Sequence, residues 1–262
     1  MTGQGKPSTG GLDVKRYTTW ARTKGHRPET IRGRLVVLVA YETRFGSILN
    51  ATDETLLQFL DGTRGWTRST YARNLRSLLT YATEEGLLSR APRVPRVKNP
   101  DPRPKPVTDA ELSLLISEAR TARLACWLLL AAYGGLRASE IAASGPDHLR
   151  GTILELPNMK GGGRGQIALP DWVAAEVARC PQWHVTAGSV TKAASRHMSD
   201  LGVTPGIHRL RHWHGTTLLR QTHDLRLVQR ALRHRSITST TMYTLVDDEE
   251  LAAAVQAINR VA

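Results

Sequence analysis

The chain has 262 residues, 40% of them hydrophobic, which is enough for one large domain or two ordinary ones around real cores. The chain has only two cysteines, without metal-ligand spacing, which argues against a disulfide scaffold and against zinc binding. It starts without a signal-like apolar segment, and its longest apolar run, 124–136, is too short to span a membrane. We therefore expect a soluble, cytoplasmic protein with no membrane partner. The 36 lysines and arginines against 23 acidic residues give a net charge of +13, which favours a polyanionic partner such as nucleic acid, although a GC-rich genome would also enrich the 29 arginines.

Hydrophobic periodicity predicts four helices in the first third of the chain, at about 13–25, 28–46, from Thr52 onward, and 69–85. The last of these has an apolar stripe on one face, and on or beside the other face lie Arg68, Arg73 and Arg76. Such a charged face is either simply solvated or in contact with phosphate groups. Because the chain is so basic, we predict that these three arginines contact DNA.

A basic, proline-rich segment follows the four helices, "RAPRVPRVKNPDPRPKP", and it holds six of the thirteen prolines. Proline excludes a helix here and favours an extended, semi-rigid linker. We therefore divide the chain into a tail at 1–11, a helical domain at 12–91, a linker at 92–105 and a second domain at 106–262. Two domains joined by a basic linker are suited to enclosing a DNA duplex as a clamp.

Helix signals dominate the start of the second domain. Thr108 and Glu111 have capping-box spacing at the beginning of a helix at about 109–119. The stretch "RLACWLLLAAYGGLRASE" then predicts a buried helix, a Gly-Gly break and a second helix whose start carries Arg137 and Glu140.

The only strand-like region of the sequence is "GTILELPNMKGGGRGQIALP". Two apolar strands, about 152–156 and 166–169, flank a Gly-rich turn with Lys160 at its edge, which is typical of a hairpin. Helical patterns resume at Trp172 and continue to a terminal segment that begins near Asp247. The predicted fold class is mainly α: a helical domain joined to a mixed α domain with a small antiparallel β-sheet.

Residues 207–235 concentrate positive charge, with seven arginines and five of the nine histidines against one acid. Like charges at helical spacing repel one another unless an anion lies between them, and we expect that anion to be a phosphate. His208 and Arg211 are three residues apart and share one helical face, which places an acid-base group beside a planar fork of donors. Arg137 would supply a second fork, and two guanidinium groups on one phosphodiester stabilise a pentavalent transition state.

Tyr243 lies in a run of serines and threonines, nine residues after His234. A phenol with a pKa near 10 is a poor nucleophile unless a base removes its proton or cations stabilise its anion. His208, His234 and the two arginines, Arg137 and Arg211, would do both. Attack on phosphorus would leave a phosphotyrosyl ester that reacts back without ATP. Lys160 is the available donor for the proton that the leaving 5′ oxygen needs.

These residues, in this order, resemble the tyrosine recombinases, also called the lambda-integrase family. The stretch "GGLRASE" matches the family's first arginine motif, Lys160 its hairpin lysine, and "HRLRH" its second histidine-arginine motif. His234 followed nine residues later by Tyr243 matches the end of the pattern. The motifs cover about 106–250, and residues 12–90 are more weakly similar to the family's core-binding domain. Any one motif is weak, whereas the ordered set is specific.

The resemblance implies a site-specific recombinase or integrase that cleaves and rejoins DNA through a 3′-phosphotyrosyl intermediate. It implies catalytic roles for Arg137, Lys160, His208, Arg211, His234 and Tyr243, with Glu140 and His212 supporting them. No cofactor or metal is implied. The partners implied are double-stranded DNA attachment sites, a dimer on each site, a homotetramer that exchanges strands, and a possible directionality or accessory factor in a nucleoid-associated, bacterial setting.

Two stretches depart from the family's usual pattern. Arg233 stands where a glycine usually precedes His234, so the helix end there is built differently and the placement of His234 is open. Trp213 and His214 replace small or apolar residues, and His214 is better interpreted as a core histidine than as a catalytic one. The tyrosines in apolar-periodic helices are interpreted as core residues.

Several functions remain open on the sequence alone. A type IB topoisomerase uses the same constellation without exchanging partners, and a DNA-binding protein with a decayed site is a non-enzymatic alternative. Within the family, Xer-type chromosome dimer resolution competes with phage or mobile-element integration, which the departures around Arg233 and Trp213 favour. The helical domain begins within about a dozen residues, which we interpret as a two-domain layout without an arm-binding domain.

Overall fold

The computed structural model describes residues 11–98, 105–157 and 165–233. The chain divides into two compact units, Met1–Asp101 and Pro102–Ala262. Three predicted site residues, Lys160, His234 and Tyr243, lie outside the described residues, and so does the predicted terminal helix.

Four helices form the first unit: α1 (Val14–Thr23), α2 (Pro28–Phe45), α3 (Asp53–Asp61) and α4 (Gly65–Glu84). Their starts follow the sequence signals: an Asp13 carboxylate oxygen accepts from two amides at the head of α1, and Thr52 caps α3. The core is rich in aromatic residues, with Tyr17, Tyr41 and Tyr81 fully buried. In α2, Val37 is buried in this core, whereas Val39 is 62% exposed.

The segment 92–97, which the sequence places in the linker, packs on the first unit. Val94 and Val97 lie against its core. The amide of Arg93 donates to Asp53 at 2.7 Å, and Arg76 donates to the carbonyl of Pro95 at 2.9 Å. This part of the proline-rich stretch is therefore held by the helical unit, and the division between the units falls after Asp101.

The second unit contains seven described helices and one sheet. The helices are α5 (Asp109–Ser117), α6 (Ala122–Tyr133), α7 (Ala138–Ala143), α8 (Asp171–Arg179), α9 (Ala187–Asp200), α10 (His208–Thr222) and α11 (Leu225–Ala231). The sheet is antiparallel, with the order β1 (Leu149–Arg150), β2 (Ile153–Leu156) and β3 (Gly165–Ala168). The predicted fold class is confirmed, and β1 is a third strand that the alternating pattern was too short to indicate.

Helix α6 is the centre of the second unit. It is apolar around its whole circumference, with buried side chains from Leu124 to Ala132, because it contacts α5, α7, α8, α9 and α10. Its most extensive neighbour is α10, the helix that carries the predicted His208 and Arg211. No helix in the described ranges is both long and apolar enough to cross a bilayer.

The start of α10 is anchored by Arg209. Its guanidinium donates to the carbonyls of Lys105, Pro106 and Thr204 at distances of 3.1, 3.1 and 2.8 Å. Glu111 of α5 lies 3.5 Å from the same guanidinium. The first residues of the second unit are thereby tied to the beginning of the helix that carries the predicted site.

Candidate active site

Glu140 lies at the centre of a cluster of arginines. It is in the first turn of α7 and is almost completely buried. Its Oε1 accepts from Arg137 Nη1 at 2.9 Å, and its Oε2 accepts from the Arg137 amide and from Arg233 Nη2, both at 2.9 Å. Arg211 Nη1 is 3.8 Å from Oε2. A single carboxylate therefore fixes three guanidinium groups.

The pKa of Glu140 reflects these neighbours. Burial by itself raises the pKa of this carboxyl. Arg233, the amide of Arg137 and the other two guanidinium groups outweigh burial and hold the pKa below its usual value. Glu140 is thus an anion at neutral pH, and it keeps the arginines around it charged and in place.

The Gly134–Gly135 turn supplies the second anchor of the cluster. Gly135 has a φ of +58°, and a Cβ there would lie 2.8 Å from His214 Cδ2. A Cβ on Gly134 would lie 2.6 Å from a methyl carbon of Leu136. The turn can therefore be built only from glycine, and its Gly135 carbonyl accepts from both Arg211 and Arg233.

Arg211 is enclosed by the protein, and only 1% of its side chain is exposed. One terminal nitrogen donates to the Gly135 carbonyl and the other to the Leu232 carbonyl. These bonds join α10 to the turn after α6 and to the end of α11. Arg211 therefore holds three elements together and places its charge beside Glu140.

Arg137 is the more accessible of these arginines. Its side chain is 25% exposed, against 8% for Arg233 and 1% for Arg211. It sits at the cap of α7, directly after the glycine turn, and Glu140 anchors it through both its amide and its guanidinium. Donors remain on its exposed side, so Arg137 is the guanidinium best placed to meet an anion from solvent.

His208 and His212 lie one turn apart on α10, with ring centroids 4.7 Å apart in an edge-to-face arrangement. Desolvation, followed by the charges of Arg211 and Arg137, lowers the pKa of His208 below its ordinary value. Burial, followed by His208 and Arg211, lowers the pKa of His212 to about 4. Both imidazoles are therefore neutral at pH 7, and a neutral imidazole can accept a proton.

The two residues after His212 have structural contacts. Trp213 Nε1 donates to Asp109 Oδ1 at 2.5 Å, and its ring lies edge-on to Tyr133 at 5.3 Å. His214 Nδ1 lies 2.9 Å from the carbonyl of Ala132, and burial above all lowers its pKa to about 4. These side chains hold α10 against α5 and α6.

Arg233 is the residue of this cluster that sequence reasoning did not assign to the site. It has a φ of +53°, in the left-handed region that favours the glycine usual there. Its guanidinium donates to the carbonyls of Ala231 and Gly135 at 2.7 and 2.9 Å as well as to Glu140. The signal in the sequence was that an arginine replaces the family's usual glycine directly before the predicted His234.

The three arginines predicted to bind DNA from the first unit differ in availability. Arg68 donates to the carbonyls of Thr63 and Asp61, and Arg76 to that of Pro95, so both hold loops of their own unit. Arg73 is exposed, and its side chain makes no hydrogen bond or ion pair within the described part of the chain. DNA contact by these residues stays a prediction, with Arg73 the freest of the three.

The structure thus brings together five predicted residues of the second unit: Arg137, Glu140, His208, Arg211 and His212. Lys160, His234 and Tyr243 are outside the described ranges. Across residues 11–98, 105–157 and 165–233, no group of three or more His, Cys, Asp or Glu side chains is arranged to hold a metal ion. The assembled chemistry is a preorganised set of cations beside a neutral imidazole.

The chain is similar to known proteins in sequence and in fold. The sequence model of the phage integrase family matches residues 166–250. The tyrosine recombinase XerA of Thermococcus kodakarensis is 28% identical, over 92% of this chain and 93% of its own length. The tyrosine recombinase XerC of Rhodospirillum centenum is 31% identical, over 75% of this chain and 67% of its own length.

A solved structure shares the fold. The structure of a lambda integrase dimer bound to a COC′ core site has a TM-score of 0.70 at 16% identity, covering 95% of this chain and 97% of that one. The 31% identity to the Rhodospirillum centenum recombinase, over 67% of its length, shows the family: the chain belongs to the tyrosine recombinases. The family resemblance of the ordered motifs is thereby confirmed.

Proposed function

We propose that the protein is a site-specific DNA recombinase that breaks and rejoins DNA strands through a 3′-phosphotyrosyl intermediate on Tyr243. The observation that carries the proposal is the cluster around Glu140, in which three guanidinium groups and a neutral histidine lie beside one another. Such a cluster matches the negative charge that develops on a phosphodiester during attack. Membership of the tyrosine recombinases supports the same assignment.

The arginines have different tasks in this proposal. Arg137 binds the scissile phosphate directly, since its guanidinium is the most accessible of the cluster. Arg211 contributes its positive charge at short range, because its terminal nitrogens already donate to two carbonyls. Both charges act in a partly dry environment, where they stabilise the transition state more than they would in water.

Proton transfers complete the reaction. His208 accepts the phenolic proton of Tyr243 as the phenolate oxygen forms its bond to phosphorus, which the lowered pKa of His208 permits at neutral pH. The bond from phosphorus to the 5′ oxygen breaks, and Lys160 donates the proton that this oxygen takes. His234 supports the phosphate, and Glu140 and His212 hold the arginines and His208 in position. Ligation runs the same steps in reverse.

The partner is double-stranded DNA carrying attachment sites, and we propose a dimer on each site and a homotetramer in the recombining complex. Named structures of related fold include a lambda integrase dimer bound to a core site and the recombinase XerH bound to its difH substrate. Integration of a phage or other mobile element is the role that the sequence favours. A directionality or accessory factor, and action at the nucleoid in the cytoplasm, are parts of the same proposal.

A nicked duplex attachment site tests the proposal. Cleavage next to the nick releases a short fragment, so the covalent protein-DNA complex accumulates and is resolved on a denaturing gel. We expect wild type to form this complex and Tyr243→Phe to bind the same DNA without forming it. Capture of DNA by the Phe variant would move the nucleophile to another residue.

The same substrate set separates recombination from simple relaxation. Two duplexes carrying attachment sites should yield exchanged products, whereas a topoisomerase-like enzyme relaxes a supercoiled plasmid and exchanges nothing. Relaxation without exchange on every candidate site would overturn recombination while leaving the phosphotyrosyl chemistry in place.

A further inference from the structure

Arg233 occupies a backbone conformation that disfavours it. Its φ of +53° lies in the left-handed region, where a Cβ is crowded and glycine is not. His223, at +50°, is the other residue besides glycine with a positive φ in the described ranges. Such a conformation persists where the surrounding structure compensates for the strain.

The side-chain contacts of Arg233 are the compensation. The side chain is 8% exposed, and its guanidinium donates to the Ala231 carbonyl at 2.7 Å, the Gly135 carbonyl at 2.9 Å and Glu140 Oε2 at 2.9 Å. One planar group thus contacts the end of α11, the glycine turn and α7. Lysine could reach one of these acceptors and could not fork between them.

Arg233 is also the closest cation to one half of the carboxylate. Arg137 Nη1 binds Oε1, while Oε2 lies 2.9 Å from Arg233 Nη2 and 3.8 Å from Arg211 Nη1. Arg233 and Arg211 share the Gly135 carbonyl as acceptor. Arg233 therefore shares Glu140 with Arg137, and it shares both Glu140 and the Gly135 carbonyl with Arg211, whose other terminal nitrogen donates to the Leu232 carbonyl.

Resting on the recombinase function above, we propose that Arg233 is a positioning residue that couples the end of α11, just before His234, to Glu140 and the glycine turn and so sets the geometry of the phosphate-binding arginines. Its guanidinium points inward, to carbonyls and Glu140, so it acts through these groups without touching DNA. The arginine that replaces the usual glycine at position 233 thus helps to fix the geometry of the active site.

Charge supports the geometry. Among the described residues, Arg233, Arg211 and Arg137 are the cations whose charges lower the pKa of Glu140, and Arg233 is the strongest of them. The Glu140 carboxylate in turn favours a higher pKa of His208 on α10, and the charge of Arg233 favours a lower pKa of His214. Removing Arg233 therefore raises the pKa of Glu140, so that protonation weakens the cluster at a higher pH than in wild type.

The test compares Arg233→Gly, Arg233→Lys and Arg233→Gln in the full chain, with Arg230→Gln as control. Arg230 is exposed on α11, so its loss removes the same charge without removing a contact to Glu140. Glycine is the decisive variant because it relieves the backbone strain while removing the side chain, so that a lower cleavage rate reports the loss of the side-chain contacts. The readouts are single-turnover cleavage of the nicked duplex from pH 5 to pH 8, and the Kd for that duplex.

We expect Arg233→Gly to lower the cleavage rate by on the order of a hundredfold, as a misplacement of about 1 Å does, with Kd unchanged within about twofold. The acid limb of its rate profile should move to higher pH, Arg233→Lys should recover part of the rate, and Arg230→Gln should match wild type. Arg233→Gly with wild-type rate and pH profile would overturn the proposal, since Arg233 would then be a structural substitute for glycine.

A second measurement judges the pairing without DNA. In a double-mutant cycle on urea unfolding, Arg233→Gln and Glu140→Gln should be strongly non-additive, because the second substitution removes the charge that the first leaves unpartnered. Additive effects would overturn the proposal whatever the cleavage assay shows. Wild-type protein that cleaves no candidate site would instead overturn the proposed function, and the cycle would then decide alone whether Arg233 and Glu140 act as a unit.

Discussion

At the scale of single residues, the cluster around Glu140 has three cations and one anion, which leaves an excess of two positive charges. Like charges repel more strongly where protein replaces water. A bound phosphodiester carries one negative charge and would reduce that excess. The guanidinium groups therefore repel one another in the free protein, and bound DNA would reduce this repulsion. We expect DNA binding and stability to be coupled at this site.

Arg137→Ala should abolish most of the cleavage activity but reduce the stability of the protein only slightly. The substitution removes the accessible guanidinium, while Glu140 keeps Arg233 as a close partner. Loss of one preorganised donor costs roughly a hundredfold or more in rate. Single-turnover cleavage and a thermal melt measure both effects, with Arg137→Lys as the variant that keeps the charge and loses the fork. Near-normal cleavage by Arg137→Ala would remove this residue from the phosphate site.

His212 and His214 predict a stability that falls in acid. Burial first, and nearby cations second, lower the pKa of each to about 4, whereas an unfolded histidine titrates near 6.5. The unfolded chain thus binds more protons between these values, so stability is complete above pH 6.5 and falls as the pH drops toward 4. The loss is on the order of 3 kcal/mol per histidine at most.

Urea unfolding at pH 7 and pH 5 checks this prediction. His214→Gln keeps a donor for the Ala132 carbonyl and removes the titrating group, so it should lose less stability between the two pH values than wild type does. His184→Gln, at an exposed position, is the matched control and should leave the difference unchanged. An unchanged difference in His214→Gln would mean that the pKa of His214 is the same in the folded and unfolded protein and would contradict the prediction.

At the scale of elements, the Gly134–Gly135 turn connects the buried α6 to the arginine cluster. Gly135→Ala should destabilise the protein, since the new Cβ would meet His214 Cδ2 at 2.8 Å and the backbone would be strained at a φ of +58°. We expect a loss of about 1–3 kcal/mol in unfolding free energy, and a loss of cleavage because the Gly135 carbonyl anchors two guanidinium groups.

Gly151→Ala is the matched control for the glycine turn. Gly151 has a φ of +60°, almost the same backbone conformation, and no atom lies within 4 Å of a Cβ placed there. Its substitution therefore measures backbone strain alone, by the same urea titration. If the two variants lose equal stability and Gly135→Ala keeps full cleavage, the turn has no special part in the site.

Short-range rules explain which parts of the site the sequence predicts. The capping box of Thr108 and the adjacency of His208 and Arg211 depend on spacing within one turn, and the glycine break depends on two neighbouring residues. The bond from Arg233 to Glu140 joins residues 93 positions apart, and it exists only once α11, the glycine turn and α7 are in place. From the sequence alone, Arg233 indicated only that the helix end before His234 is built differently from the family's usual pattern.

At the scale of the whole molecule, two units share the binding of one duplex in the proposed function. Separated fragments, 1–98 and 105–262, should each bind an attachment site far more weakly than the intact chain, because the covalent connection supplies the effective concentration of the second unit. Binding by the intact chain should also weaken steeply with salt, as phosphate contacts do. Gel shifts at two salt concentrations measure both, and a fragment as tight as the whole chain would contradict the clamp.

Truncated fragments show where the first unit ends. The sequence pattern places the end near residue 91, whereas the structure packs Val94 and Val97 on the core and adds the bonds from Arg93 to Asp53 and from Arg76 to Pro95. Fragment 1–98 should therefore be more stable than fragment 1–90 by about 2–4 kcal/mol. In a unit of this size that raises Tm by roughly 10 °C or more, which circular dichroism detects. Fragment 1–98 carrying Arg96→Ser, a change at an exposed position of the same segment, should keep the higher Tm. Equal melting temperatures of fragments 1–90 and 1–98 would show that 92–97 belong to the linker and do not stabilise the first unit.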